Sequence, residues 1–366
     1  MKYFLAILLL IVLIAGGAAA WMWYGITKPY QGFAAGGVFV EVPRGASRRH
    51  AAYLLQTNGV LRNALAFEIY ARRHPKRTLQ AGEYFFDHAM TGREVFWKLA
   101  NGQVYQQPFT VREGETMYDI ARELDAAKFM HTGDFLFAAG DPALIRDIAP
   151  GAQTLEGFLF PATYELPRHP VASELTAEMV RKFKEQWKRT ASPAAGGSAD
   201  EGGHRNVNRI VTLASLVERE TPRPEERPLV AGAFENRLRK GMRLQCDPTV
   251  IYGMERLGKY DGPLTGKDLH FDSLYNTYEH GGLPPGPIGN PGEASLRAAL
   301  QPAQTNYLYF VANTQGGHFF SATLAEHNKN VVKYRRLLAG LPADPPPAPA
   351  PSQKKKHAKQ HRGKAR

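Results

Sequence analysis

The sequence contains only one cysteine, Cys246, among its 366 residues. A single cysteine excludes an intramolecular disulfide and a cysteine-rich zinc cluster. The sequence also lacks a His-Glu-x-x-His motif, a glycine-rich phosphate loop before a helix and the nucleophile elbow of serine hydrolases. His318 and His327 have no partners at the usual metal-ligand spacing. We therefore expect a function that needs no metal ion and no other cofactor.

Acidic residues are fewer than basic ones, 34 against 46, which gives a formal net charge of +12. Seven basic residues follow Gln353 with no acid among them, so the rest of the chain is only mildly basic, at about +5. A Pro/Ala-rich segment, residues 342–351, precedes them and indicates an extended spacer. Residues 341–366 are thus predicted to be a disordered tail, either simply solvated or an arm for an anionic polymer or lipid headgroups.

One long apolar run is present, at residues 3–26, and aromatic residues cluster at its end, at positions 21–24. Its length suits a bilayer span, and the aromatic residues suit the membrane interface. A cleaved signal peptide is the alternative, since alanines 18–20 offer a possible cleavage site. The run continues past them, which favours a retained anchor over residues 1–27. We expect a single-pass protein of the cell inner membrane with its bulk outside the cytoplasm, and no nucleic-acid partner.

A pattern of valine, glycine, hydroxyl and apolar residues occurs twice, displaced by 69 residues. Gly45 and Ser47 belong to the first copy, and Gly114 and Thr116 to the second. Each copy predicts a short strand, a glycine turn, a Ser/Thr N-cap and an amphipathic helix. This arrangement resembles the LysM module, a small glycan-binding fold, whereas a packing repeat without a ligand is the alternative.

A helix is predicted between the N-cap candidates Asn206 and Asn208 and the helix-ending Pro222. Apolar residues recur between them at helical spacing. Glu218 falls in the last turn of this helix. Glu220 lies roughly across the helix and, with its neighbour at position 219, is predicted to be solvated.

Glu218 shares its side of that helix with Val211, Ala214 and Ser215, at seven, four and three residues back. A carboxyl group among aliphatic neighbours is partly removed from water. Desolvation raises its pKa and makes it a usable proton donor near neutral pH. Glu218 is therefore a candidate general acid, and the alternative is an ordinary surface or cap glutamate.

The residues beyond Glu218 are rich in side chains typical of binding sites. Proline and glycine dominate residues 281–292, so this loop has a preset backbone that can form a rigid wall. Its backbone groups and the nearby tyrosines and asparagines suit hydroxyl-rich sugars. The candidates for binding the sugar or orienting Glu218 are Ser215, Asn236, Gln245, Asp247, Tyr275, Asn276 and Asn290. Asp247 precedes a proline and is equally a candidate helix cap.

The alternation and spacing of apolar residues predict several further elements. They are a strand at 79–86, a helix capped by Thr91 and ending at Gly102, a strand and turn at 155–164, a helix at 173–189, paired strands at 307–311 and 318–321, and a last helix opened by Glu326. Residues 191–204, rich in glycine and alanine, are expected to form a flexible surface loop.

Seven segments together resemble the endolytic murein transglycosylase MltG (YceG-like) family. They are Leu155-Glu-Gly-Phe-Leu-Phe-Pro, Leu213-Ala-Ser-Leu-Val-Glu-Arg-Glu-Thr, Asn236-Arg-Leu, Leu244-Gln-Cys-Asp-Pro-Thr-Val, Tyr275-Asn-Thr-Tyr, Gly282-Leu-Pro-Pro-Gly-Pro-Ile-Gly-Asn-Pro-Gly and Glu326-His-Asn. They follow the family's order and cover nearly all of the predicted folded chain, from about residue 38 to residue 338. Ala162 is a departure, because the family usually has aspartate there.

The resemblance implies a membrane-anchored lyase that cuts the glycan strands of nascent peptidoglycan internally and leaves 1,6-anhydro ends, which would terminate or process strand polymerisation. Glu218 falls on the family's catalytic glutamate, and peptidoglycan synthases in the same membrane are the implied partners. A hydrolytic muramidase is one rival, and it would need a second carboxylate, for which Asp247 is the candidate. A non-catalytic glycan-binding scaffold of cell-wall synthesis is the other.

The expected fold class is α+β. It comprises an N-terminal transmembrane helix, one or two small LysM-like α/β units and a larger mixed α/β catalytic domain. The LysM-like region is predicted at residues 38–150, possibly as two copies at 38–104 and 109–150. The catalytic domain is predicted at residues 151–340.

Overall fold

The computed structural model describes residues 2–191 and 206–343 of the chain. Within these residues, α-helices are combined with three two-stranded antiparallel sheets, which confirms the mixed α/β prediction. The chain divides into two compact units. Unit 1 comprises Met1–Val111, Leu124–His131 and Ala162–Leu175, and unit 2 comprises Arg112–Glu123, Thr132–Pro161 and Thr176–Arg366. Nearly all of the predicted surface loop at 191–204 and of the tail at 341–366 lies outside the described residues.

The first helix, α1 (Lys2–Thr27), carries the long apolar run. Its segment Tyr3–Thr27 is long and apolar enough to cross a membrane, although a signal sequence would have the same properties. Large apolar side chains at positions 3–14 are exposed. Near the other end of the helix, Ile26 is buried against unit 1.

Unit 1 is built around one small sheet and the helices that cover it. Its elements after α1 are β1 (Val38–Val42), α2 (Arg48–Thr57), α3 (Ala64–Arg72), β2 (Gly82–Phe86) and α4 (Gly92–Ala100). β1 and β2 pair antiparallel, with Val38 opposite Phe86 and Val42 opposite Gly82. The fully buried side chains of this core include Leu55, Phe67, Tyr84, Phe86, Phe96 and Leu99. A second sheet pairs β3 (Gln107–Thr110) with β4 (Thr163–Leu166).

Both copies of the repeat have the predicted local structure. Gly45 and Gly114 turn the chain with φ of 78° and 84°, a region that favours glycine. Ser47 caps α2, because its hydroxyl accepts a hydrogen bond from the backbone amide of His50. Thr116 does the same for α5 (Met117–Ala126), where its hydroxyl accepts from the Asp119 amide. The local pattern is therefore confirmed, whereas the resemblance of these units to LysM stays a prediction.

Unit 2 is mainly helical. Its elements are α6 (Thr132–Ala139), α7 (Ala172–Thr190), α8 (Val207–Glu220), α9 (Arg227–Arg239), α10 (Asp247–Glu255), α11 (Glu293–Leu300), the hairpin β5 (Tyr309–Ala312) and β6 (His318–Ser321), and α12 (Leu324–Leu338). α8 packs against α9, α10 and α11, and the residues of α8 from 210 to 217 are all buried. Because the helix is enclosed along this length, its last turn is held in a fixed place.

Most of the predicted elements form, and their ends shift by a few residues. The strand and turn predicted at 155–164 occur in the opposite order: turns come first, and the strand begins only at Thr163. Gly157 has φ of 86°, which interrupts an extended chain. A side-chain carbon on Gly157 would also lie 2.5 Å from Pro287 and 2.9 Å from Val211. The turn thus brings this backbone against α8 and against the Pro/Gly-rich loop at residues 281–292.

Candidate active site

Glu218 lies in the last turn of α8. Asn206 caps the start of the helix through the amide of Arg209, and the helix ends at Glu220, two residues before Pro222. The Glu218 side chain is only 5% exposed. The prediction that its carboxyl group is removed from water is therefore confirmed.

The Glu218 carboxyl group accepts two strong hydrogen bonds. The backbone N–H of Gly292 donates to Oε2 over 2.9 Å, and Nη2 of Arg227 donates to Oε1 over 2.7 Å. Arg227 is 7% exposed and also lies 3.5 Å from Oε2 of Glu113. A side chain at position 292 would overlap the Glu113 carboxyl group. A side chain at this position would therefore require the Glu113 carboxyl group or the loop to move.

The pKa of Glu218 is raised above its ordinary value, chiefly because burial disfavours the charged carboxylate. The Gly292 amide and the Arg227 guanidinium oppose this rise, whereas the negative charge of Glu113 adds to it. A raised pKa keeps a carboxyl group protonated closer to neutral pH. The site can therefore supply a proton and then stabilise the carboxylate that remains.

The Pro/Gly-rich loop is fixed to α8 by Ser215. The Ser215 hydroxyl is fully buried, donates to the Thr212 carbonyl over 2.7 Å and accepts from the Ile288 amide over 3.0 Å. This predicted residue thus holds the wall that carries Gly292. Both hydrogen bonds of its oxygen are made within the protein.

Asn290 joins the loop to two other segments. Its Oδ1 accepts from the Leu159 amide over 2.9 Å, and its Nδ2 donates to the Glu115 carbonyl over 2.8 Å and to Glu156 Oε1 over 3.0 Å. Its own backbone pairs with the turn at residues 114–115. Asn290 is fully buried, so it holds the loop against the turn that carries Glu113.

Glu156 is a buried acid that contacts Asn290 of the Pro/Gly-rich loop. Both of its carboxyl oxygens accept from the Met117 amide, at 3.1 and 3.0 Å. Burial raises its pKa to about 8, although the Met117 amide and the Tyr252 hydroxyl oppose the rise. At neutral pH Glu156 is therefore mostly protonated, and it links the start of α5 to Asn290.

Two further candidates, Asn236 and Asn276, are buried and bonded to backbone carbonyls. Asn236 donates to residues 305 and 307 over 2.8 Å each, and Asn276 donates to residues 269 and 271 over 2.9 Å each. Their amide groups hold irregular chain segments together. Tyr275 is 7% exposed, and its ring packs on that of Tyr252 at 4.9 Å and under Arg256 at 5.1 Å.

The other two candidates are both exposed: Gln245 lies just before α10, and Asp247 is its first residue. Gln245 has φ of 49°, an uncommon left-handed conformation for a residue other than glycine. Asp247 accepts a hydrogen bond from the Tyr278 hydroxyl over 2.6 Å. Cys246 occupies the N-cap position of α10 and makes no side-chain cap bond there. The structure thus groups Ser215 and Asn290 with Glu218 through the loop, while the contacts of Asp247 lie elsewhere.

The prediction that Glu220 is solvated is wrong. Its carboxyl group accepts a hydrogen bond from the Cys246 thiol over 3.3 Å, and burial raises its pKa. Arg219 is partly buried as well and donates to the Gly114 carbonyl over 3.3 Å. Helical periodicity places both residues away from the apolar stripe, but other segments of unit 2 cover that side of the helix.

Sequence reasoning did not identify Arg227 or Glu113, and it included Gly292 only as the last residue of the predicted wall. The repeat carries no signal for Glu113, because the two turns differ at several positions, Arg44 against Glu113 among them. In the part of the chain that the structure describes, no cluster of His, Cys, Asp and Glu suits a metal ion.

The sequence profile of the YceG-like family matches residues 40–333. The endolytic murein transglycosylase of Bacillus subtilis (strain 168) is 34% identical over 340 residues, which cover 88% of this chain and 91% of that protein. The endolytic murein transglycosylase of Streptococcus pneumoniae (strain D39) is 29% identical over 326 residues, covering 81% of this chain and 58% of that longer protein.

A solved structure is also similar. The crystal structure of the YceG-like protein lmo1499 from Listeria monocytogenes aligns with a TM-score of 0.54 and 33% sequence identity. The alignment covers 81% of this chain and 99% of that protein.

Proposed function

Because the chain belongs to the YceG-like family, we propose that it is an endolytic murein transglycosylase, a lyase that cuts peptidoglycan glycan strands internally. The proposed bond lies between N-acetylmuramic acid and N-acetylglucosamine, and the new end is a 1,6-anhydro sugar. The observation that carries this proposal is the state of Glu218. It is a buried carboxyl group of raised pKa that meets the end of the Pro/Gly-rich loop.

In the proposed reaction, protonated Glu218 donates its proton to the glycosidic oxygen as the bond to the muramic acid C1 breaks. The sugar then has oxocarbenium-like character, and the new Glu218 carboxylate is stabilised by Arg227 and the Gly292 amide. The carboxylate next takes the proton of the muramic acid 6-hydroxyl, whose oxygen bonds to C1. Glu218 ends protonated, so the enzyme is unchanged.

One carboxyl group is sufficient for this sequence of steps. The nucleophile belongs to the sugar that is attacked, and an intramolecular reaction of this kind has a high effective concentration. No second carboxylate has to activate water. The contacts of Asp247 with Tyr278, rather than with Glu218, are compatible with this route.

An open cavity of about 450 Å³ borders the same loop and supports a site for an extended chain. Its lining comes from the first turns of α8, the end of α9 and the loop: Asn206, Asn208, Arg209, Thr212, Leu238, Leu283 and Pro284. Thr212 and Glu218 are six positions apart, which is roughly 9 Å along a helix. We propose that part of a glycan strand occupies this cavity, with further sugar beyond the bond that is cut.

The apolar helix α1 and the two repeat units support a location beside the growing wall. We propose that α1 anchors the protein in the inner membrane as a single span, with the rest of the chain outside the cytoplasm. In this proposal the LysM-like units bind glycan, and peptidoglycan synthases of the same membrane supply nascent strands.

A hydrolytic muramidase is the second candidate function, because Glu113 offers a carboxyl group beside the same arginine as Glu218. A hydrolase would use such a second carboxylate to activate water or to attack C1. The products distinguish the two reactions. Purified glycan strands should be digested with the full-length protein in detergent, and the new ends analysed by mass spectrometry. Anhydro ends, lighter by one water, support the transglycosylase, and reducing ends contradict it.

A further inference from the structure

Glu218, Arg227 and Glu113 form a contiguous group of charges. Nη2 of Arg227 lies 2.7 Å from Glu218 Oε1 and 3.5 Å from Glu113 Oε2. The side chains of Glu218 and Arg227 are 5% and 7% exposed, whereas that of Glu113 is 48% exposed. Two carboxyl groups, one buried and one half-exposed, therefore share a single buried guanidinium.

Gly292 contacts both acids. Its N–H donates to Glu218, and its Cα lies so close to the Glu113 carboxyl group that any side chain there would overlap it. The backbone beside Glu113 is held by the loop, because the Gly114 amide donates to the Asn290 carbonyl over 2.8 Å. The turn that carries Glu113 is thus fixed next to the acid.

The two acids differ in their exposure to water, and they lie beside the same positive charge. Burial disfavours the charged form of Glu218 and raises its pKa. The negative charge of Glu113 raises the pKa of Glu218 further, whereas Arg227 lowers it.

We propose that Glu113 is a positioning residue that keeps Glu218 protonated by serving as the counter-ion of Arg227; this inference rests on the proposed function of Glu218 as the acid. When Glu218 gives its proton to the glycosidic oxygen, Arg227 neutralises the new Glu218 carboxylate and Glu113 remains solvated by water. The proton that Glu218 recovers from the 6-hydroxyl restores the starting state of the group.

Among the groups around Glu218, Glu113 is the one whose negative charge raises the pKa of Glu218. The loop and α11 contribute the Gly292 amide and the buried Ser295 hydroxyl. On α8 the neighbouring Arg219 turns to the Gly114 carbonyl. The charged groups that act on the Glu218 pKa are Arg227, which lowers it, and Glu113, which raises it.

The test is the pH dependence of glycan cleavage by full-length wild-type protein and by Glu113→Gln, in detergent. The alkaline limb of the kcat/KM profile reports the pKa of the essential acid in the free enzyme. Removing the negative charge of Glu113 stabilises the Glu218 carboxylate. The limb should therefore move to lower pH by roughly one unit, and activity near neutral pH should fall.

Glu293→Gln is the matched control, because Glu293 is 49% exposed, directly follows Gly292 and pairs with Arg297. This variant should leave the pH of the alkaline limb within experimental error of the wild-type value. A Glu113→Gln profile that is lower in height but unmoved in pH would indicate a merely structural role and would overturn the inference.

A direct titration keeps this inference separate from the proposed function. Carbon-13 NMR of the glutamate-labelled full chain, with the Glu218 signal identified by its loss in Glu218→Gln, should give a lower Glu218 pKa in Glu113→Gln. An unchanged pKa overturns the inference even if glycan is cleaved. Wild-type protein that leaves glycan uncut refutes the proposed function, and the titration still decides whether Glu113 acts on Glu218.

Discussion

The backbone N–H of Gly292 donates a hydrogen bond to Oε2 of Glu218, with 2.9 Å between the two atoms. Gly292 stands at the end of the Pro/Gly-rich loop and is the N-cap residue of α11. A donor aimed at a carboxyl oxygen stabilises the charged form of the acid. The contact therefore favours the state of Glu218 that exists after the proton has left.

Gly292→Ala should disrupt this relationship. The new methyl group would overlap the Glu113 carboxyl group, so the loop or the acid has to move. If the Gly292 amide or Glu113 moves relative to Glu218, the activity should fall by roughly 10- to 100-fold. The measurement is the initial rate of glycan cleavage, with circular dichroism to verify the fold.

Gly281→Ala is the control for that variant. Gly281 belongs to the same loop, but a side-chain carbon there would have no atom within 4 Å. It should retain wild-type activity within about twofold. Equal rates for both alanine variants would contradict the close packing of Gly292 against the acids.

Ser215→Ala should loosen the loop without touching Glu218. The serine oxygen accepts the amide proton of Ile288 in a fully buried position. Removing it leaves that amide unpaired, at a cost of about 1–3 kcal/mol. Hydrogen exchange followed by mass spectrometry should show faster exchange in peptides that contain Ile288. Unchanged protection there would mean that other contacts hold the loop.

Glu156→Gln should change how stability depends on pH. The folded-state pKa of Glu156 is about 8, and an exposed glutamate titrates near 4.3. The stabilising contribution of its proton is therefore complete at low pH and is lost as pH rises through about 8. Between these limits the wild type should lose about 1.4 kcal/mol per pH unit relative to Glu156→Gln. Urea unfolding from about pH 5 to about pH 8 measures the free energy of unfolding of both proteins. If the two free energies change with pH in parallel, Glu156 is not a buried, protonated acid.

The sequence predicted the elements whose signal is local. Helical spacing and Pro222 define α8 and place Glu218 in its last turn, and the repeat predicts both glycine turns with their hydroxyl caps. The same reasoning predicted that Glu218 is desolvated, because Val211, Ala214 and Ser215 share its side of the helix. Each of these inferences uses residues of a single segment or the comparison of two such segments.

The partners of Glu218 could not be predicted because they come from distant parts of the chain. Glu113 is supplied by a turn more than a hundred positions earlier, and Gly292 by a loop more than seventy positions later. Burial of Arg227 and Glu220 likewise depends on which segments cover their helices. The asparagines were identified as functional by residue type alone, whereas Asn236 and Asn276 are engaged by backbone carbonyls that no local pattern specifies.

Cleavage by Glu218→Gln tests the central claim most directly, because glutamine keeps the shape of the side chain and removes its proton. Full-length wild type, Glu218→Gln and the control Glu220→Gln, altered two residues along the same helix, should be compared for glycan binding and for release of anhydro-ended fragments. We expect Glu218→Gln to bind glycan normally and to cleave it roughly 10²- to 10⁴-fold more slowly, while Glu220→Gln still cleaves. Anhydro-ended products formed by Glu218→Gln at the wild-type rate would contradict the account.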